Sequence, residues 1–426
     1  MGIKSLVPVI IKFSDGKAVG TYQFKYFSGM RIAVDASLLI YQSIIAMRSN
    51  GKDMKNNKGG LTSHLYGLFY KILTFLENNI EPVIVFDGRA PDIKNKTIDK
   101  RRQRKEQAKK KLEELSDSED EEYIKNFKQT VNITAEDIKE AQILLDLMGI
   151  PYIIAPGEAD VVCSWLAARY DETGQRYVKG VCSDDSDMLA LGAPYLFKDM
   201  LKFMNKNKNV TVVSLNKTLK SLDLSMSQFT DFCVLLGCDY CDNLKGIGPK
   251  NAYKLIKQYG TLEKVIEHVN NSKNDSDDSD SIELSKNDLC MIEAAKYFKT
   301  AMSDLDQSKS FIITDDQLKL RQFQYEELMD FMCVKHNFDI IRITNGITRM
   351  KKYYKIMNVT RSNTKKYHKI IQPRSENYNL DAVLGNVDFV ESDSSDSDNQ
   401  DLDSISEPVK TKDTKIMPDL IRKKNI

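Results

Sequence analysis

Asp184, Asp185 and Asp187 fall within four positions of "VCSDDSDMLA" (181–190), with apolar residues on either side. Two carboxylates about 4 Å apart repel by roughly 4 kcal/mol at an effective dielectric near 20. Solvent around an acidic turn, or a bound cation, must offset that cost. The pattern recurs along the chain. "IAVDAS" (32–37) carries Asp35 after its apolar run, "PVIVFDG" (82–88) carries Asp87, and "YIIAPGEADVV" (152–162) carries Glu158 and Asp160. One acid in such a place reads as a helix cap; four runs ending this way read as one acidic rim. The cluster contains no His or Cys, and oxygen-only donors suit a hard cation such as Mg²⁺ or Mn²⁺ rather than zinc. Six or seven carboxylates exceed the need of one Mg²⁺. Two ions of this kind activate a water and stabilise the leaving oxygen in phosphodiester hydrolysis.

Two basic features point to a polyanionic substrate. Residues 94–111, "KNKTIDKRRQRKEQAKKK", hold ten bases against Asp99 and Glu106 and follow Asp87 closely, so a positive helix is expected to project from the acidic rim. "LLGCDYCDNLKGIGPKNAYKLIKQYG" (235–260) sets Gly246, Gly248 and Lys250 between helical stretches. Glycines let backbone amides approach a phosphate, the next helix presents its N-terminus, and the lysine adds charge. This is a helix–hairpin–helix pattern for gripping a nucleic-acid backbone.

The elements that must position these residues can be read from apolar patterning. Runs at 32–37, 82–88, 151–155, 177–185 and 210–215 are mostly continuous, as strands buried on both faces of a parallel sheet require. Leu61, Leu65, Leu68, Ile72, Phe75 and Leu76 share one helical face. Residues 133–149 read as a helix with Thr134 as N-cap and Gly149 as its stop. Strand alternating with helix predicts an α/β fold with a mostly parallel central sheet flanked by helices.

Composition narrows the class. The chain has 426 residues, 62 basic and 61 acidic, so its charge is balanced overall but segregated locally. Seven scattered cysteines imply reduced thiols and an intracellular protein. Cys238 and Cys241 form a CxxC, but no second pair stands at zinc-site spacing. No apolar run approaches the roughly 20 residues of a membrane span, and the N-terminus is too short and weakly charged for a secretory signal. Acid- or Ser/Asp-rich segments at 113–122, 271–281 and 391–407 are expected to be disordered. A folded core at about 1–350 is expected, then a basic stretch at 351–374 and an acidic one at 391–407.

Taken together, "MGIKSL", "VDASLLIYQ", "TSHLYGLFY", "PVIVFDG", "LMGIPYIIAPGEAD", "LLGCDYCDNLKGIGPK" and "EELMDFMC" closely resemble the structure-specific 5′ nucleases of the XPG/flap endonuclease family over about residues 1–350. Asp87 and Glu158 are 71 positions apart, a spacing similar to that of flap endonucleases. The resemblance implies a PIN-like nuclease fold with a helical arch, cutting 5′ flaps on branched DNA with two Mg²⁺ ions, for which Mn²⁺ may substitute. It implies one metal at Asp35, Asp87, Glu158 and Asp160, and a second at Asp185, Asp187 and Asp239. Asp184 matches an acid that is not a principal ligand. Lys94 and Arg101 match basic residues that steer the scissile phosphate. DNA contacts are implied for Gly2, Tyr41, Arg48, Lys71, Glu158, Gly237, Asp239, Gly246, Gly248 and Lys250, with a K⁺ ion at the paired glycines in some members. For Tyr41 the alternative is a core tyrosine on a helix.

Along the chain this implies nuclease regions at 1–110 and 133–265 around an arch segment at 111–132, an acidic insert at 266–288, the end of the core at 289–350, and a tail at 351–426. Position 160 is Asp where the family more often has Glu. "QPRSENYNL" (372–380) lacks the paired aromatics of a sliding-clamp motif, which leaves clamp recruitment without a visible anchor. A monomer acting in the nucleus or another site of DNA replication, a viral factory included, is expected. The alternatives are a 5′–3′ exonuclease or junction-cutting relative on the same fold, and a catalytically silent DNA-binding scaffold. A complete set of seven carboxylates argues against the scaffold.

Overall fold

The computed structural model describes residues 2–48, 53–57, 59–89, 94–115, 121–202, 209–271 and 284–362. Seven strands form one sheet: β1 (Val19–Gln23), β2 (Arg31–Asp35), β3 (Glu81–Phe86), β4 (Tyr152–Ile154), β5 (Val181–Cys182), β6 (Tyr195–Lys198) and β7 (Asn209–Ser214). Their spatial order is β1-β7-β6-β5-β2-β3-β4. The five from β6 to β4 run parallel, while β7 pairs antiparallel with both β6 and β1. The mostly parallel α/β sheet is therefore present. The register pairs Asp35 with Val85, Val34 with Cys182 and Phe86 with Ile154, so the carboxyl ends of the central strands finish at one rim.

The strands at 32–37, 82–88 and 151–155 fall as expected, two readings are corrected, and two strands are additional. The run at 210–215 is antiparallel. Of 177–185 only Val181 and Cys182 are strand. Val19–Gln23 and Tyr195–Lys198 give no clear apolar signal: the first is a half-exposed edge strand and the second only four residues long.

Helices enclose both faces. First come α1 (Leu6–Phe13), α2 (Ala36–Met47) and α3 (Ser63–Glu77). The next pair is α4 (Asn95–Glu114) and α5 (Glu121–Gln129). Beyond it lie α6 (Ala135–Leu147), α7 (Ala159–Ala168), the short α8 (Asp187–Ala190), α9 (Leu215–Leu222), α10 (Met226–Leu236), α11 (Pro249–Tyr259) and α12 (Leu262–Asn271). The last are α13 (Lys286–Gln307), α14 (Tyr325–Met329) and α15 (Ile340–Ser362). Thr134 closes a capping box with Asp137 on α6. Gly149 stops the segment at φ +71°, where an added Cβ would lie 2.2 Å from the Arg321 carbonyl oxygen.

Two boundaries move. Residues 113–114 finish α4 and 121–122 begin α5, so helix reaches into both ends of the acidic segment predicted to be disordered; 116–120 lie outside the described residues. Helix α15 continues through residue 350, and Tyr353 and Tyr354 are buried, the latter donating a 2.7 Å hydrogen bond to the Met148 carbonyl. The core therefore extends past 350. Residue 271 ends α12, and the rest of the 271–281 segment, together with the acidic stretch at 391–407, lies outside the described residues.

Arg48 and Lys71, expected at a DNA surface, are internal. Arg48 is buried at the end of α2, where its guanidinium grips both oxygens of Asp53 (2.7 and 3.1 Å), donates to the Phe127 carbonyl (2.8 Å) and lies 4.3 Å from the Phe127 ring centre. It clamps α5 to the body of the fold. The buried Lys71 amine donates to the Met200 carbonyl at 2.9 Å. Removing one partner of a buried pair leaves the other charge uncompensated. Arg48→Ala should therefore lower unfolding free energy by roughly 3 kcal/mol, read by urea titration; an unchanged midpoint with weakened flap binding would return Arg48 to the DNA surface.

Candidate active site

Each acid is delivered by the element that ends beside it. Asp35 ends β2 and caps α2, accepting from the Leu38 amide at 3.1 Å. Asp87 lies just past β3; its two oxygens accept from the Ser37 hydroxyl (2.6 Å) and the Ala159 amide (2.9 Å), tying three elements together. Glu158 and Asp160 sit at the N-cap and first turn of α7. Asp185 lies in the loop after β5 and Asp187 opens α8, the Asp187 amide donating to Asp185 Oδ1 at 3.0 Å. Asp239 follows α10. Asp184 turns away: its Oδ1 accepts from the Asp199 amide at 2.9 Å and its carbonyl from Lys198. Of the three crowded aspartates, one is structural and two join the rim.

Electrostatics shows what this arrangement costs. Burial, then the charge on Asp87, pushes the Asp35 carboxyl up to about 7. Burial followed by Asp185 raises Asp160 and Asp187 well above the carboxylate range, and burial raises Asp185 as well. Asp187 Oδ1 is buried with no hydrogen-bond partner. Among the described residues no three of these acids close on a point where an ion would sit, and two of them are held by cations instead: Lys94 binds Glu158 Oε1 and Arg101 binds Asp239 Oδ2. Burial works against the charge on Lys94, but Glu158, Asp160 and Asp239 outweigh it and hold the amine protonated. An orphaned buried oxygen, carboxyls lifted by one another and an oxygen-only donor set fit hard divalent cations.

The other predicted residues divide. Gly2 adopts φ +74°, and an added Cβ would lie 1.9 Å from Asp185 Oδ1 and 2.5 Å from Asp187 Oδ1, so the N-terminal backbone packs on the rim. Gly237 holds that segment by accepting from the Lys4 amide at 3.0 Å. Gly246 (φ +80°) and Gly248 stand clear of other groups, and Gly248 caps α11, whose first residues are Pro249 and the exposed Lys250. Tyr41 is half-buried in α2. Lys4, Lys100, Arg101 and Asp239 line a cleft of about 360 Å³ at the foot of α4. The Cys238 and Cys241 sulfurs are 3.5 Å apart, buried and unbridged. Sequence reading missed Tyr240 and Tyr297, whose hydroxyls both donate to Glu158 Oε2, at 2.6 and 2.8 Å. "CDYC" brings Tyr240 next to Asp239, but nothing in sequence links Tyr297 to a residue 139 positions away.

Comparison with known proteins gives this architecture a class. Models of the XPG N-terminal domain and the XPG I-region match residues 1–108 and 149–239, two stretches that between them contain all seven rim acids. The chain is 38% identical over 355 residues to flap endonuclease 1 of Vanderwaltozyma polyspora and 36% identical over 354 residues to that of Scheffersomyces stipitis, in each case covering 83% of this chain and 88% of the relative. Among solved structures it is similar to flap endonuclease-1 from Methanococcus jannaschii (27% identity, TM-score 0.56, 80% of this chain and 98% of that one). It is also similar to the catalytic core of Rad2 in complex with DNA substrate (25% identity, TM-score 0.56, 82% and 99%). The chain belongs to the flap endonuclease family of structure-specific 5′ nucleases.

Proposed function

We propose that the chain cuts the phosphodiester at the base of a 5′ flap on branched DNA, leaving a 5′ phosphate, with Asp35, Asp87, Glu158 and Asp160 holding one Mg²⁺ and Asp185, Asp187 and Asp239 a second. The observation that carries this reading is the unpartnered Asp187 Oδ1 among buried, mutually lifted carboxyls beneath a basic helix. Bound there, divalent ions supply water activation and neutralisation of phosphate charge. The chain's own groups do the rest. Helix α4 draws the polyanion to the rim, and Lys94 and Arg101, at its foot, face the scissile phosphate. Gly246, Gly248 and Lys250 at the start of α11 grip duplex backbone away from the cut. Mn²⁺ is proposed to replace Mg²⁺, and K⁺ to sit at the 246–248 turn. The same reading has a monomer acting where DNA is replicated, with the basic arch starting within 1–110 and the arch segment 111–132 lying between the nuclease regions 1–110 and 133–265. Among the described residues no helix is long and apolar enough to cross a membrane.

The decisive experiment compares a labelled 5′ flap, a blunt duplex and a four-way junction in Mg²⁺ and in EDTA. The flap should be cut fastest, with loss of all cleavage in EDTA. Faster cutting of the blunt duplex or the junction would transfer the assignment to an exonuclease or resolving relative, and no cleavage of any substrate would leave a binding scaffold.

A further inference from the structure

We propose that Tyr297 is a positioning residue for metal binding: with Tyr240 it fills both lone pairs of Glu158 Oε2, so that Glu158 can offer an ion only Oε1. The inference rests on the assignment of Glu158 to the metal pair. A carboxylate oxygen presents about two acceptor sites. Tyr240 and Tyr297 take both on Oε2, at 2.6 and 2.8 Å. Oε1 is the oxygen that Lys94 reaches.

The two phenols arrive from different elements. Tyr240 is buried in the loop after α10, and Tyr297 projects from the middle of α13, a helix anchored by the buried Met291, Ala294, Ala295 and Phe298. Their rings lie 5.3 Å apart, and the Tyr240 ring meets Phe298 edge-on at 5.3 Å, so neither hydroxyl can swing away without disturbing the aromatic cluster. Glu158 is thereby fixed at both ends: its backbone caps α7 and its far oxygen is pinned. A carboxylate that ligates through one fixed oxygen suits the tight octahedral demands of Mg²⁺. Outer partners of ligating carboxylates typically change metal affinity 10- to 100-fold when removed.

The test uses the full chain and two readouts: Mn²⁺ affinity without DNA, from the free-ion electron paramagnetic resonance signal, and the Mg²⁺ midpoint for flap cleavage. Tyr297→Phe keeps the ring and removes only the hydroxyl. It should weaken Mn²⁺ binding and raise the Mg²⁺ midpoint by about 10-fold each, and Tyr240→Phe should shift both in the same direction. Unchanged Mn²⁺ affinity with an unshifted midpoint overturns the proposal, whatever the plateau rate, because a merely structural role lowers the rate at every Mg²⁺ concentration alike. Glu158→Gln separates the two levels. If it loses Mn²⁺ while Tyr297→Phe does not, only the positioning role falls; if it binds Mn²⁺ like the wild type, Glu158 is not a ligand and both readings fall.

Discussion

Asp187→Asn is expected to abolish flap cleavage while leaving flap affinity in EDTA within a few-fold of wild type. The side chain is buried and faces the other acids, so it offers DNA little contact. Its loss removes a proposed metal ligand, and metal stabilisation of the transition state is worth several kcal/mol, which at 1.36 kcal/mol per decade is on the order of 1,000-fold or more in rate. Stability should hold or rise. The folded Asp187 carboxyl lies well above its unfolded value, so its contribution favours the fold at low pH and is lost as pH rises through the folded pKa. Asp35 behaves in the same way, with its loss falling between about 4 and about 7. In metal-free buffer at neutral pH the asparagine variant should therefore melt no lower than the parent. Cleavage near the parental rate in Mg²⁺ would remove Asp187 from the site; a large drop in melting temperature would make it a structural acid.

The second large effect is expected at Arg101. Its guanidinium is half-exposed at the foot of α4 and pairs with Asp239. A preorganised cation aimed at developing negative charge is worth roughly 3 kcal/mol, or about 100-fold. Arg101→Ala should lower the single-turnover rate by that factor and weaken flap binding only a few-fold, because the other bases of α4 still attract the backbone. Equal losses in rate and affinity would reduce Arg101 to an ordinary phosphate contact.

How much could be read in advance follows from which residues leave a local signature. Asp35 and Asp87 end long apolar runs, and Glu158 and Asp160 directly follow another, so the rim is legible in the sequence. Strand β5 is two residues long, yet its acids are legible because the flanking sequence is itself apolar. Burial of Arg48 and Lys71 was hidden, since a basic residue on a helix reads as surface until its partners are known. Those partners, Phe127 and Met200, lie 79 and 129 positions away. The end of the core is expected at about 350 because "KKYYK" reads as the start of a basic linker. The spacing of the buried Ile343, Ile347, Met350 and Tyr354 nevertheless continues a helical stripe past 350. Tyr297 could not have been found, because its role exists only once α13 packs beside α7.

The pairing of Lys94 with Glu158 and of Arg101 with Asp239 means that helix α4 carries tethered counter-ions for the acid rim. Groups joined by a short chain compete at an effective concentration in the millimolar range, so, on the proposed assignment of Glu158 and Asp239 to metal, a divalent ion would have to displace a resident ammonium and guanidinium. If phosphates draw these two cations off, as proposed for Lys94 and Arg101, the competition would be relieved and DNA binding would tighten metal binding. Linkage makes the effect reciprocal: metal loading frees the foot of α4 for phosphate by the same factor. On the proposed metal assignment, substrate and cofactor would thus be coupled through the start of a single helix, and metal affinities measured on the free protein should understate those that hold on DNA.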